Sequence, residues 1–217
     1  MFTLYTFGDS ILDCGRYNPY GVHPGQLLVS NDNSLFPDFT GQDLLTHGSV
    51  TLQHRAQDGA TVRSLEAQAR SLQISYPSAA ILTVGGNDLL SGLVTERDGS
   101  GARTFAADLD AFLTRLHVRP VFIGNVYDPS FGSDTDNFLG VDPVVARANL
   151  ARVNAVISAA ASKYGKLVDL HGHFLKGDPS WYTSTIEPSL TGASEVRRCF
   201  LPFLLPLLQA GSAYRGG

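Results

Sequence analysis

The chain has 217 residues, a formal net charge of −4, and 43% hydrophobic against 17% charged residues. That balance belongs to a globular chain long enough to bury a sizeable core, and residues 1–217 are expected to form one domain. A mildly acidic chain without a run of Lys or Arg is not expected to bind nucleic acid.

Strand-like and helix-like segments alternate from the start. Met1 is followed by a β-rich run that ends in Gly8-Asp9-Ser10, with a first strand expected at Leu4–Phe7. This run has no basic region followed by a long apolar stretch, so it does not read as a signal peptide. Gly15–Asp58 is rich in Gly, Pro, Asn and Asp and reads as a long loop region, with a short helix near Pro37–Leu45. Further strands are expected at Ala79–Val84, Val118–Val126 and Lys166–Leu170. Helices are expected at Ala60–Leu72, Arg103–Leu116, Pro143–Lys163 and Thr191–Leu208. Phe105, Leu109, Phe112 and Leu116 mark one face of the second helix; Asp142 can cap the third, and Pro143 suits its first position. Such alternation predicts a mostly parallel sheet covered by helices on both faces. Phe200–Leu208 is very apolar, but it contains Pro202 and Pro206 and is too short to span a bilayer. Cys14 and Cys199 do not make a disulfide framework and are expected as reduced thiols. Together these features point to the cytoplasm.

Three blocks can carry chemistry. Gly8-Asp9-Ser10 puts a small hydroxyl at the carboxyl end of a strand, where open α/β sheets collect ligands; a plain helix cap has the same wording. Gly59 precedes a helical pattern, so its N–H can face an anion or simply serve a turn. In Gly85-Gly86-Asn87-Asp88 a buried strand ends in glycines followed by an amide donor suited to an oxyanion, although Asn-Asp also makes turns.

In order and wording the three blocks resemble the SGNH (GDSL) hydrolase family over nearly the whole chain. The resemblance implies an α/β fold, a three-layer α/β/α sandwich of flavodoxin-like type with a central parallel sheet of about five strands. It implies Ser10 as nucleophile, and the Ser10 N–H, the Gly59 N–H and the Asn87 amide as oxyanion donors. It implies hydrolysis of carboxylic esters, short acyl or acetyl, through an acyl-enzyme without a cofactor.

The fourth family block, Asp-x-x-His before the last helix, reads here Ser184-Thr185-Ile186-Glu187, followed by Pro188. A carboxylate of ordinary pKa, about 4.3, is a feeble base towards a hydroxyl. The expectation is therefore a displaced triad. His171 or His173, after the last predicted strand, serves as base to Ser10, with Glu187 or Asp169 orienting the imidazole. His171-x-His173 could also share a metal with Asp169 or Glu187, but no further Cys or clustered His supports it, and no metal is expected. Tyr127-Asp128-Pro129 is expected at the pocket, and Trp181 and Tyr182 at its wall or in the core. Two rival readings keep the fold: a ligand-binding protein that has lost its base, and an acyltransferase.

Overall fold

β1 (Phe2–Gly8) is buried along its whole length, because it lies in the interior of a sheet with a helical layer on each face. The structure, a computed structural model, describes residues 1–133, 135 and 139–213, with side chains as far as Leu208. After β1 come α1 (Pro24–Val29), α2 (Leu44–His47) and β2 (Val50–His54), then α3 (Leu65–Gln68) and β3 (Ser78–Thr83). Next are α4 (Gly86–Leu90), α5 (Ser100–Arg115), β4 (Val121–Gly124), α6 (Pro143–Tyr164), β5 (Gly165–Val168) and α7 (Leu170–Phe174). A two-stranded hairpin, β6 (Tyr182–Thr183) and β7 (Glu187–Pro188), precedes α8 (Leu190–Ala213).

The five long strands form one parallel sheet in the order β2-β1-β3-β4-β5. Strand order reverses between β1 and β3, the switch point at which such sheets leave a crevice beyond their carboxyl ends. Period-two alternation sends Phe2, Leu4, Ile81 and Phe122 to one face, against Leu28, Leu44, Val196, Phe200 and Leu204 of α1, α2 and α8. Tyr5, Phe7, Leu82, Val121 and Ile123 go to the other face, against Phe105, Leu109 and Phe112 of α5 and Val153 and Ile157 of α6. Truncating any of these large side chains to Ala costs about 2–5 kcal/mol. This is the expected three-layer α/β/α architecture.

The elements expected from the sequence form within a few residues of the predicted bounds, with these departures. The short helix expected near Pro37–Leu45 is a 3₁₀ turn at Pro37–Phe39 followed by α2, and α1 lies in the stretch read as loop. β2 lies inside the stretch read as loop. It is an edge strand of only five residues and mostly half-buried, so it carries little apolar signal. The helix expected at Ala60–Leu72 shrinks to a 3₁₀ turn at Val62–Ser64 and the single α-turn of α3. Lys166–Leu170 splits, because Asp169 accepts from the Gly172 N–H and caps α7. Asp142 caps α6 as predicted, accepting from Val144 N–H at 3.0 Å. Pro202 and Pro206 lie on the exposed face of α8, where water can satisfy the carbonyls they leave free. Cys14 and Cys199 are free thiols. No helix among the described residues is long and apolar enough to cross a membrane.

Candidate active site

The turn that presents Ser10 is built from a glycine and a buried acid. Gly8 has φ +125°, and a Cβ there would sit 1.8 Å from the Thr83 carbonyl oxygen of β3, so only glycine fits. The Gln68 side chain clamps its peptide: Gly8 N–H donates to Oε1 at 2.8 Å, and Nε2 donates to Gly8 O at 2.8 Å. Asp9 turns inward and is 1% exposed. Its Oδ1 accepts from Thr83 Oγ1 at 2.8 Å and from Ile11 N–H at 3.2 Å. Burial pushes the Asp9 carboxyl up from 3.8 to about 6; those two hydrogen bonds resist the shift and the charge of Glu187 adds to it. Ser10 follows at the end of the strand and lines a cleft with Asn87 and Glu187.

Two backbone donors lie free at this end of the sheet, after β1 and β2. The N–H groups of Ser10 and Gly59 have no hydrogen-bond partner among the described residues. Gly59 holds φ +78° in the turn after β2, which is anchored by Asp58 N–H donating to Asp13 Oδ2 at 2.9 Å and by Tyr17 OH donating to Asp58 Oδ2 at 2.8 Å. Asn87 stands in the first turn of α4. Its Nδ2 donates to Ala60 O at 3.1 Å, which fixes the amide against the Gly59 turn and leaves the second N–H for a ligand. Asp88 accepts from Val62 N–H at 3.1 Å and ties α4 to the same segment.

Glu187 reaches the cleft from the β6–β7 hairpin, where it pairs with Thr183. Ser184 (φ +47°) and Thr185 (φ +75°) hold the tip in the left-handed region without glycine. Tyr127 OH donates to Ile186 O at 2.7 Å, and Ser189 N–H donates to Trp181 O at 2.9 Å, so the hairpin is fastened on both sides of Glu187. Burial raises the Glu187 carboxyl and the neighbouring Asp58 charge adds to this; the Ser10 hydroxyl and Arg16 pull it back. Glu187 Oε2 is buried without a partner of good hydrogen-bond geometry.

The structure does not assemble the displaced triad. His171 Nδ1 lies 3.1 Å from Val126 O, so that nitrogen must donate to the carbonyl. His173 Nε2 lies 2.8 Å from Glu195 Oε2 of α8, and its ring stacks on Trp181 with centroids 5.1 Å apart. Asp169 is occupied by Asn125 Nδ2 at 2.9 Å and by its capping role. The physical reason is strand order. β5 stands three strands from β1, roughly 14 Å at about 4.8 Å per strand, and the short α7 turns its rings to Val126 and α8. The two imidazoles also take different partners, so they do not converge on a common metal position. All six histidines are described, and none lines the cleft.

Tyr127, Asp128 and Pro129 line the cleft as expected, while Trp181 and Tyr182 pack against the core. The cleft measures about 150 Å³, and its walls include Leu89, Leu90, Val94, Leu150 and Ile186. The contributions of Val94 and Leu150 were not anticipated, because a half-buried apolar residue on a helix looks the same whether it faces a neighbour or a pocket. Gln68 was missed too; a buried glutamine 60 residues away from its glycine carries no local signal.

No curated protein matches this chain in sequence. Solved structures share its fold. A lipolytic protein of the G-D-S-L family from Veillonella parvula superposes with TM-score 0.64 at 19% identity, covering 94% of this chain and 98% of its own. An acetylxylan esterase from Geobacillus stearothermophilus gives TM-score 0.63 at 20% identity, covering 92% of each chain. An extracellular lipase from Streptomyces rimosus gives 0.56 at 15% identity, covering 94% of this chain and 98% of its own. The sequence model of the GDSL-like lipase/acylhydrolase family matches residues 6–193, from within β1 to the start of α8. That match spans most of the sequence, and this chain belongs to the GDSL-like lipase/acylhydrolase family.

Proposed function

We propose that the chain hydrolyses small carboxylic esters through an acyl-enzyme on Ser10. The observation that carries this reading is that Ser10, whose N–H is unpartnered, and the Asn87 amide line one cleft, with that amide tethered to Ala60 O beside the unpartnered Gly59 N–H. Attack of Ser10 Oγ on an ester carbonyl moves charge onto the carbonyl oxygen. The Ser10 N–H, the Gly59 N–H and the free Asn87 N–H are donors for that charge, each worth about 10²–10³ in rate. They are held by the fold before substrate arrives, so little reorganisation is needed at the moment of reaction.

Cleft size supports a short acyl group. A protein cavity of about 150 Å³ takes up one benzene molecule, and the cleft here is of that order. The apolar walls suit a small acyl chain, and the open side leaves room for an alcohol of any size. The structural neighbours include both an esterase and a lipase, so the short acyl group is argued from this cleft alone.

The test is turnover of p-nitrophenyl acetate, butyrate, octanoate and palmitate, with diisopropyl fluorophosphate labelling read by mass spectrometry. Acetate or butyrate is expected to lead palmitate at least tenfold in kcat/KM, and one equivalent of label is expected on Ser10. A protein that takes no label and turns over none of the four esters refutes the reading.

A further inference from the structure

We propose that Glu187 itself, with no imidazole between, takes the proton of Ser10 and delivers it to the leaving group. This rests on the ester-hydrolase reading above and names the base that reading leaves open.

Ser10 and Glu187 line the same cleft, and no histidine does. The Ser10 hydroxyl is close enough to Glu187 to bias its carboxyl towards ionisation, yet Oε2 remains buried without a well-made hydrogen bond. A loose contact of this kind is common at catalytic pairs before substrate binds and tightens in the complex. Fastening of the hairpin through Tyr127 and Ser189 holds the carboxylate in place. The two left-handed residues at its tip are the sort of local strain that accumulates at functional sites.

An ordinary carboxylate is too weak for this work, but Glu187 is not in ordinary surroundings. The charged and titratable groups that face it come from several elements: Asp9, Cys14, Arg16 and Tyr17 after β1, Asp58 after β2, and Tyr127 after β4. Arg16 alone of these carries positive charge, and its side chain is 71% exposed, so it is well screened. Burial and the acidic neighbours therefore prevail and strengthen the base.

The cycle balances without a further reactant. As the Ser10 Oγ–carbon bond forms, the Oγ proton passes to Glu187 and the carbonyl electron pair moves onto oxygen. Collapse breaks the bond to the alcohol oxygen, which takes the proton from Glu187. Water then adds to the acyl carbon and gives a proton to Glu187. The Oγ–acyl bond breaks, and that proton returns to Ser10, releasing the acid. Catalysis needs Glu187 ionised, so activity rises with pH through its pKa and stays high above it.

The experiment measures kcat and KM on p-nitrophenyl butyrate from pH 4 to 9 for the wild-type chain and for Ser10→Ala, Glu187→Gln, Glu187→His, His171→Ala and His173→Ala. Near-UV circular dichroism checks each fold. Glu187→Gln is expected to lose 10²–10⁴ in kcat, with KM within about threefold, and to lose the acidic limb. Glu187→His is expected to be at least tenfold more active than Glu187→Gln at pH 8, with its limb near the ordinary imidazole value of about 6.5. Such a gain cannot arise from misfolding. The assignment is overturned if Glu187→Gln keeps more than a tenth of wild-type kcat/KM, if Glu187→His is no better than Glu187→Gln, or if either His→Ala variant falls to the level of Ser10→Ala. Those outcomes leave the hydrolase reading standing, provided that Ser10→Ala is inactive. Absence of both wild-type turnover and Ser10 labelling removes the hydrolase reading and the base with it.

Discussion

Asp9→Asn tests the electrostatic foundation of the Ser10 turn. The Asp9 carboxyl is 1% exposed and its pKa rises from 3.8 to about 6 on folding. The folded chain therefore holds this proton to higher pH than the unfolded chain does. Stability from this group is fully present below about pH 4 and is lost as pH rises through 6. The shift is about two units, and at 1.36 kcal/mol per unit the loss is about 3 kcal/mol. Asparagine does not titrate, so this slope disappears. Its Oδ1 can keep the bonds from Thr83 and Ile11, whereas its Nδ2 needs an acceptor and costs about 1–3 kcal/mol if none is found. The absolute stability of the variant at pH 8 is thus a small difference of two opposing effects. The change with pH is not. Urea unfolding followed by the fluorescence of Trp181, the chain's one tryptophan, gives both curves. The stability difference between variant and wild type should move in favour of Asn by about 3 kcal/mol between pH 4 and pH 8. The raised Glu187 carboxyl contributes a slope of the same sign to both proteins and largely cancels. A difference constant within about 0.5 kcal/mol across that range refutes the account of Asp9 as a buried, largely neutral acid at low pH.

Gly8→Ala places a methyl 1.8 Å from the Thr83 carbonyl at φ +125°; backbone strain of about 1–2 kcal/mol and overpacking of about 1–3 kcal/mol predict a loss of about 2–5 kcal/mol in urea unfolding. Asn87→Ala removes one oxyanion donor and should lower kcat on p-nitrophenyl butyrate by about 10²–10³ with little change in KM. Leu150→Trp narrows the apolar wall of the cleft, and should cut kcat/KM for the butyrate ester at least tenfold more than for the acetate ester; equal losses would mean that the acyl group lies elsewhere.

The sheet interior was readable because its signals are local. β1 and β3 are buried runs, and α5 shows its core face at i, i+4, i+7 and i+8 through Phe105, Leu109, Phe112 and Leu113. β2 was not readable: half-exposed at the sheet edge, it is defined by its pairing with β1 more than by its own composition. The candidate site divides along the same line. Ser10, Gly59 and Asn87 each follow a strand that neighbours or is β1, so local wording and spatial meeting coincide. For His171 and His173 the wording was suggestive and the spatial order adverse.

A histidine at the end of a parallel strand reaches the switch point only if that strand lies beside it, and β5 does not. The β6–β7 hairpin has no such constraint, because it crosses to Ser10 independently of strand order and is fastened by Tyr127 and Ser189 through main-chain oxygens. Main-chain fastening leaves the side chain at position 187 replaceable: under the proposal above, a carboxylate or an imidazole there changes the proton acceptor without moving Ser10, Gly59 or Asn87. The surroundings must then supply what the carboxylate lacks. Burial, and after it the charge of Asp58, do this by disfavouring the ionised carboxylate. The same burial that raises the Glu187 carboxyl raises that of Asp9, so the proton affinity that the proposed base needs comes with stability lost towards neutral pH.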